Sequence, residues 1–250
     1  MKNLQVLFSP DDFAALRSRD LDRTDCVVFD VFRATSSMIT ALANGAAAIV
    51  PVEEIAEALA VRKQEANVLL AGEREGVRIP ARLTGSIDFD LGNSPREFTK
   101  EKVAGKTIAM TTTNGTRALR ACAHARTVLV GSFLNLRATA DFIFRHRPEN
   151  LLLVCSGTFE QASYEDALGA GALCDLLWST DAGEGADSAK MARELYRAAQ
   201  SNLLEAAASS RNGRRLRKIP ELRDDVAFCV QRDIYSFAAT LKDGKVGVQG

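Results

Sequence analysis

Short runs of consecutive apolar residues alternate with longer segments whose apolar positions recur every three or four residues. The runs at 4–8, 26–29, 47–52, 107–110, 127–130 and 150–155 are expected strands, and another opens at Val68 and gives way to a polar turn ending at Gly76. Continuous rather than alternating hydrophobicity marks strands buried on both faces, as in a parallel sheet covered by helices. The intervening segments read as helices. One is capped by Ser9-Pro10-Asp11-Asp12 and runs through Arg19. The next, 36–44, carries Met38, Ile39 and Leu42 on one side and closes at Asn44-Gly45. Others are expected at 53–65, 117–124, 136–145 and 163–178.

Two stretches depart from this rhythm. Residues 79–95 are broken by Pro80, Gly85, Gly92 and Pro95 and hold Asp88, Asp90, Asn93 and Ser94, a polar content that points to function. Beyond 180, the pattern predicts an exposed loop at 181–187, an Ala-rich helix at 188–210 and a basic surface run at 211–218. A short helix, a strand at 227–230 and a last strand at 244–248 complete the chain. The sum is one α/β domain over 1–250, a layered α/β/α fold with a largely parallel or mixed sheet, built as one slab or as two α/β lobes around one cleft.

Composition narrows the function classes. Lys plus Arg and Asp plus Glu both number 32, so the chain is formally neutral and offers no electrostatic footprint for nucleic acid or an anionic membrane. Five cysteines with no CxxC pair suggest neither a disulfide framework nor a zinc site. Residues 1–8 are too short and polar for a signal peptide, and no apolar run approaches the roughly 20 residues that span a bilayer. A reducing, cytoplasmic setting is expected, and the Ala-rich helices permit a homodimer.

The candidate chemistry clusters after strands. Asp30 follows the 26–29 run directly, with Arg33 and the hydroxyls of Thr35, Ser36 and Ser37 beyond it. In open α/β sheets, ligands bind at that edge. Asp30, Glu73, Asp90, Glu165 and Asp166 supply carboxylates of the kind Mg²⁺ uses together with waters and phosphate oxygens. Glu165 and Asp166 equally suit the dipole of the helix they begin. Arg33 either grips an anion with its planar fork or pairs with Asp30. The turn 111–116 offers Thr112, Thr113, Asn114, Gly115 and Thr116 as a phosphate cradle, or serves as a plain strand–helix bend. Covalent schemes lack their partners: the position six after Cys155 is Gln161, not arginine, and the position two after Asp30 is Phe32, not an acid.

Six blocks resemble the 2-phosphosulfolactate phosphatase family: residues 29–35, 71–74, 90–95, 111–116, 131–135, and Cys155-Ser156-Gly157 followed by Glu165-Asp166. They span roughly residues 1–245. The resemblance implies a Mg²⁺-dependent hydrolase that cleaves 2-phospho-3-sulfolactate to 3-sulfolactate and phosphate in a coenzyme M route. By motif it implies Asp30, Glu73 and Asp90 as metal ligands and Glu165 or Asp166 as a metal or water-activating group. Arg33, Thr112, Asn114 and Thr116 would meet phosphate or sulfonate, with Asn93 and Ser94 lining the site. Residues 78–88 and 180–220 diverge from the family pattern. Other readings are a phosphatase for another small hydroxy-acid or sugar phosphate, and a non-catalytic module that binds a small anion.

Overall fold

The computed structural model describes residues 3–65, 67–178 and 185–249. Its strands are β1 (Asn3–Leu7), β2 (Thr24–Phe29), β3 (Ala48–Val52), β4 (Leu69–Arg74), β5 (Val77–Arg78), β6 (Thr107–Thr111), β7 (Thr127–Gly131), β8 (Asn150–Cys155), β9 (Ala239–Lys242) and β10 (Lys245–Val248). They form one mixed sheet in the order β1-β8-β2-β7-β9-β10-β3-β6-β4-β5. Two parallel blocks, β1-β8-β2-β7 and β3-β6-β4, are joined in the middle by the β9–β10 hairpin, which is antiparallel to β7 on one side and β3 on the other.

The pleat of β2 shows how the layers form. Val27 and Phe29 enter a cluster with Leu151, Leu153 and the helices Leu136–His146 and Tyr164–Leu177. Cys26 and Val28 enter a second cluster, with Val128, Val154 and the helices Ala34–Ala43 and Gly115–Ala121. Successive side chains point to opposite faces of a strand, so a continuously apolar strand requires helices on both sides, and here it has them. Truncating the fully buried Phe29 to alanine would cost about 3–5 kcal/mol. A third cluster, around Val52, Leu70, Ile79, Phe89 and Ala109, packs under the helix Ile55–Gln64.

The two blocks run in opposite directions, because three antiparallel pairings separate them. Their carboxyl ends nevertheless meet at one site. Asp30 after β2, Glu73 at the end of β4 and Thr113 after β6 line one cavity.

Three expectations are corrected. Residues 227–230 are not a strand: the helix Arg223–Cys229 covers most of them, and Val226 and Cys229 bury at helical spacing. The Ala-rich segment is not one helix but Asp187–Ala199, a 3₁₀ turn at Gln200–Asn202, and Leu203–Ala208. The basic run is not simply a solvated surface, since it forms the helix Arg211–Arg217, capped by the Ser210 side chain, with Gly213 and Leu216 buried. Of the loop expected at 181–187, residues 181–184 lie outside the described residues. Among the described residues, no helix is long and apolar enough to cross a membrane. All five cysteines are buried and free.

Candidate active site

Where β2 ends, the chain turns on itself. The Thr35 hydroxyl donates to the Asp30 carbonyl at 2.9 Å, and its oxygen accepts the Asp30 amide at 3.1 Å. Ser36 donates to the Val31 carbonyl and meets the Ser132 hydroxyl at 3.0 Å, while Ser37 donates to the Asn93 carbonyl at 2.8 Å. All three hydroxyls are buried and spent on protein partners, in the loop itself or in the segments beside it. Thr35 therefore shapes the site without lining it. The loop's product is the placement of Asp30, whose Oδ1 accepts the Ala34 amide at 3.3 Å. The Phe32–Arg33 peptide bond is cis.

A cavity of about 650 Å³ opens over Asp30, a size suited to a small ligand. Arg33, Glu73, Asn93, Thr113 and Asn114 also line it. Glu73 comes from β4, and its Oε1 accepts both the amide and the hydroxyl of Thr113, at 3.0 and 2.8 Å. Its Oε2 accepts the Gly76 amide at 2.7 Å. The neighbouring strands β4 and β6 are thus tied together at their carboxyl ends. Gly115 is required by close approach: a Cβ there would lie 2.6 Å from Asp30 Oδ2 and 2.7 Å from the Ala34 Cβ. Thr112 and Thr116 bond each other, hydroxyl to amide, and stay buried behind the lining residues.

Asp30 is buried and has no basic partner among the described residues. Burial pushes its carboxyl up to about 7, and the nearby charges of Glu73 and Glu165 act in the same direction against the Ala34 and Gly115 amides. Arg33 does not neutralise it. The Arg33 Nη1 donates to Asp225 Oδ2 at 2.8 Å and its Nη2 to the Gly76 carbonyl at 2.9 Å. Asp225 is fully buried and also accepts the Ser94 hydroxyl at 2.7 Å, which gives Ser94 a supporting place.

Glu165 and Asp166 lie behind Asp30 rather than in the cavity wall. Asp166 Oδ1 accepts the Val31 amide at 2.8 Å and Oδ2 the Gly157 amide at 3.2 Å, so one carboxylate binds the loops after β2 and β8. Burial raises its pKa well above the ordinary value, and Glu165 and Asp30 add to this. Burial also raises Glu165, which accepts the Asn212 side-chain amide at 2.6 Å. Asp90, expected among the metal ligands, stands apart from this group. It ion-pairs with Arg62 and accepts the Leu70 amide at 2.7 Å, and it does not line the cavity.

The model of the 2-phosphosulpholactate phosphatase family matches residues 14–244. The chain belongs to this family. It is 39% identical over 240 residues to a protein of Caldanaerobacter subterraneus subsp. tengcongensis named "Probable 2-phosphosulfolactate phosphatase", covering 94% of this chain and 95% of that one. Proteins of the same name from Thermotoga petrophila and Carboxydothermus hydrogenoformans are 39% and 35% identical over 218 and 248 residues. The matches cover 87% and 98% of this chain, and 89% and 97% of theirs.

This family member's cavity also draws on residues that sequence reasoning missed. Arg74, Thr158, Asn212 and Arg215 line it, and Asp225 anchors Arg33 from beneath. Asn212 and Arg215 sit within the basic run, and nothing local distinguishes them from its solvated members. Among the described residues, no three His, Cys, Asp or Glu side chains converge into an all-protein metal cage. Mg²⁺, however, is commonly held by one or two carboxylates plus waters and substrate phosphate. Asp30 and Glu73 fit that donor set, as two cavity-lining carboxylates that repel each other with no cation paired to Asp30 among the described residues.

Proposed function

We propose that this chain is a Mg²⁺-dependent phosphomonoester hydrolase whose substrate is 2-phospho-3-sulfolactate, with 3-sulfolactate and phosphate as products. The observation that carries this reading is the buried Asp30. It faces Glu73 across a cavity that Arg33 also enters, in a chain of this family. Asp30 and Glu73 would hold the ion, which when bound neutralises charge on the phosphoryl oxygens and lowers the pKa of water. Arg33, locked by Asp225 and the Gly76 carbonyl, presents a fixed cation to the non-bridging oxygens. Phosphoryl transfer depends on such positioning and charge stabilisation above all. Asn93 and Asn114 flank the phosphoryl site as neutral hydrogen-bonding groups. Asp166 does not line the cavity and bonds the amides of Val31 and Gly157, so its part is to hold the loop that carries Asp30. Glu165 acts through Asn212, which lines the cavity.

The deciding assay is phosphate release from a panel of three-carbon acid phosphates and sugar phosphates, with Mg²⁺ and with chelator. Release confined to Mg²⁺ and strongest with 2-phospho-3-sulfolactate is the expected result. Preference for another panel member would reassign the substrate. Absence of any metal-dependent release would leave a small-anion-binding module.

A further inference from the structure

Two arginines from distant parts of the chain rest on one two-residue turn. The β4–β5 hairpin pairs Arg74 with Val77 and closes through Glu75 and Gly76, both left-handed at φ 55° and 81°. That backbone turns consecutive carbonyls to nearby partners. The Gly76 carbonyl accepts Arg33 Nη2 at 2.9 Å, and the Glu75 carbonyl accepts Arg215 Nη2. The Arg215 guanidinium lies against Gly76, whose missing Cβ would stand 3.7 Å from its Cζ. Both guanidiniums therefore enter the same cavity from neighbouring anchor points, one peptide unit apart.

Their charges are in different states. Arg33 is buried and paired with Asp225. Arg215 stands exposed at the rim and has no ion-pair partner among the described residues. It reaches the cavity because its helix presents Asn212, Arg215 and Leu216 at spacings of three and four, which is one face, and Ile219 just beyond the helix continues the lining. Asn212 is fixed from below by Glu165 and by Thr158 Oγ1, at 2.6 and 2.8 Å. The helix face is thus docked on the site, and the unpaired guanidinium is aimed at whatever lies beside the Arg33 anion.

We propose that Arg215 is the second anion contact of this site, holding the non-reacting sulfonate of the substrate while Arg33 holds the phosphoryl group. The Glu75–Gly76 turn sets the spacing of the two. This assignment rests on the phosphatase reading for the identity of the first anion. It makes the substrate class a phosphomonoester with a second strong anion close to the phosphorylated carbon. A guanidinium suits a sulfonate because its planar fork donates two parallel hydrogen bonds to two oxygens.

The test combines binding with turnover. Calorimetry on the Mg²⁺-loaded chain measures 3-sulfolactate and inorganic phosphate separately, for the native protein, Arg215→Gln and Arg215→Lys. A lost charge-assisted contact should weaken 3-sulfolactate about 10- to 100-fold in Arg215→Gln. Phosphate should weaken far less, and Arg215→Lys should recover part of the loss. In turnover, the kcat/KM ratio of 2-phospho-3-sulfolactate to phenyl phosphate should fall by about the same factor, carried by KM. Equal losses on both substrates, unchanged 3-sulfolactate affinity, or no binding of 3-sulfolactate by the native protein would overturn the assignment. A native protein that binds 3-sulfolactate through Arg215 but hydrolyses no phosphomonoester would sustain the contact and remove the phosphatase reading.

Discussion

Arg33 and Asp225 are 192 positions apart in the chain and form a buried ion pair, Nη1 to Oδ2, at 2.8 Å. Asp225 has its other oxygen on Ser94, so the pair is a fixed mount rather than a loose surface contact. Removing one member of a buried pair leaves the other charged and uncompensated, at about 3–5 kcal/mol. Asp225→Ala should therefore destabilise the fold by that order and cut kcat/KM by about 10- to 100-fold, since a misplaced positioning group can cost two decades. Arg33→Ala should be as damaging to activity, and the double variant hardly worse than either single one. Additive losses, read from denaturant unfolding and steady-state kinetics, would show that the two act separately.

The raised Asp30 carboxyl gives a signed pH prediction. Its ordinary value is 3.8 and its folded value about 7. A carboxyl raised on folding contributes stability that is fully present below the unfolded value and lost as pH climbs through the folded one. The metal-free native protein should thus lose stability relative to Asp30→Asn between about pH 4 and pH 7. At pH 8, Mg²⁺ should raise the Tm of the native protein and raise that of Asp30→Asn much less, with turnover of the variant abolished. Parallel Tm profiles for the two proteins would remove Asp30 as the unpaired acid.

Gly115→Ala is a steric test of the same carboxylate. The added methyl would meet Asp30 Oδ2 at 2.6 Å and the Ala34 Cβ at 2.7 Å. Alanine favours a helix by about 1 kcal/mol over glycine, so propensity alone predicts a stabler protein. The clash should win. The variant is expected to lose about 1–3 kcal/mol, in the range of overpacked cores, and most of its activity. A stabilised, active variant would show that Asp30 moves freely.

Asp166→Ala removes the acceptor for two buried amides, those of Val31 and Gly157. Each unsatisfied amide costs about 1–3 kcal/mol. Unfolding should register roughly twice that, and the loss should exceed that of Asp166→Asn, whose single side-chain oxygen still serves one amide. If Asp166 only positions the loop, Asp166→Asn should retain a normal pH profile at reduced kcat. A profile missing one limb would instead make Asp166 a proton-transfer group.

Much of this architecture was legible in local pattern. Continuously apolar runs fixed parallel, doubly covered strands, because a strand buried on both faces leaves no room for alternation. The same runs located Asp30, Glu73, Asn93, Thr113 and Asn114 at strand ends or loops, and all five line the cavity. Local pattern failed where the decision was tertiary. Residues 227–230 are apolar enough for a strand, but 227–229 sit in a helix whose Asp225 pairs with Arg33 and whose Val226 and Cys229 bury in the core. Asp90 has the chemistry of a ligand, yet Arg62 and the Leu70 amide claim it.

What the sequence by itself determined was the corner after β2, with its acid, its base and the hydroxyls that fold the loop. What only the tertiary structure decided was which side chains complete it. Asp225, Asn212 and Arg215 come from two helices late in the chain that tertiary packing brings to the site. A basic helix looks the same in sequence whether one face meets water or meets a cavity, because its periodicity carries no information about which distant surface it will cover. The charge of Arg33 was readable from position 33. Its fixed orientation, and the second guanidinium at Arg215, were not.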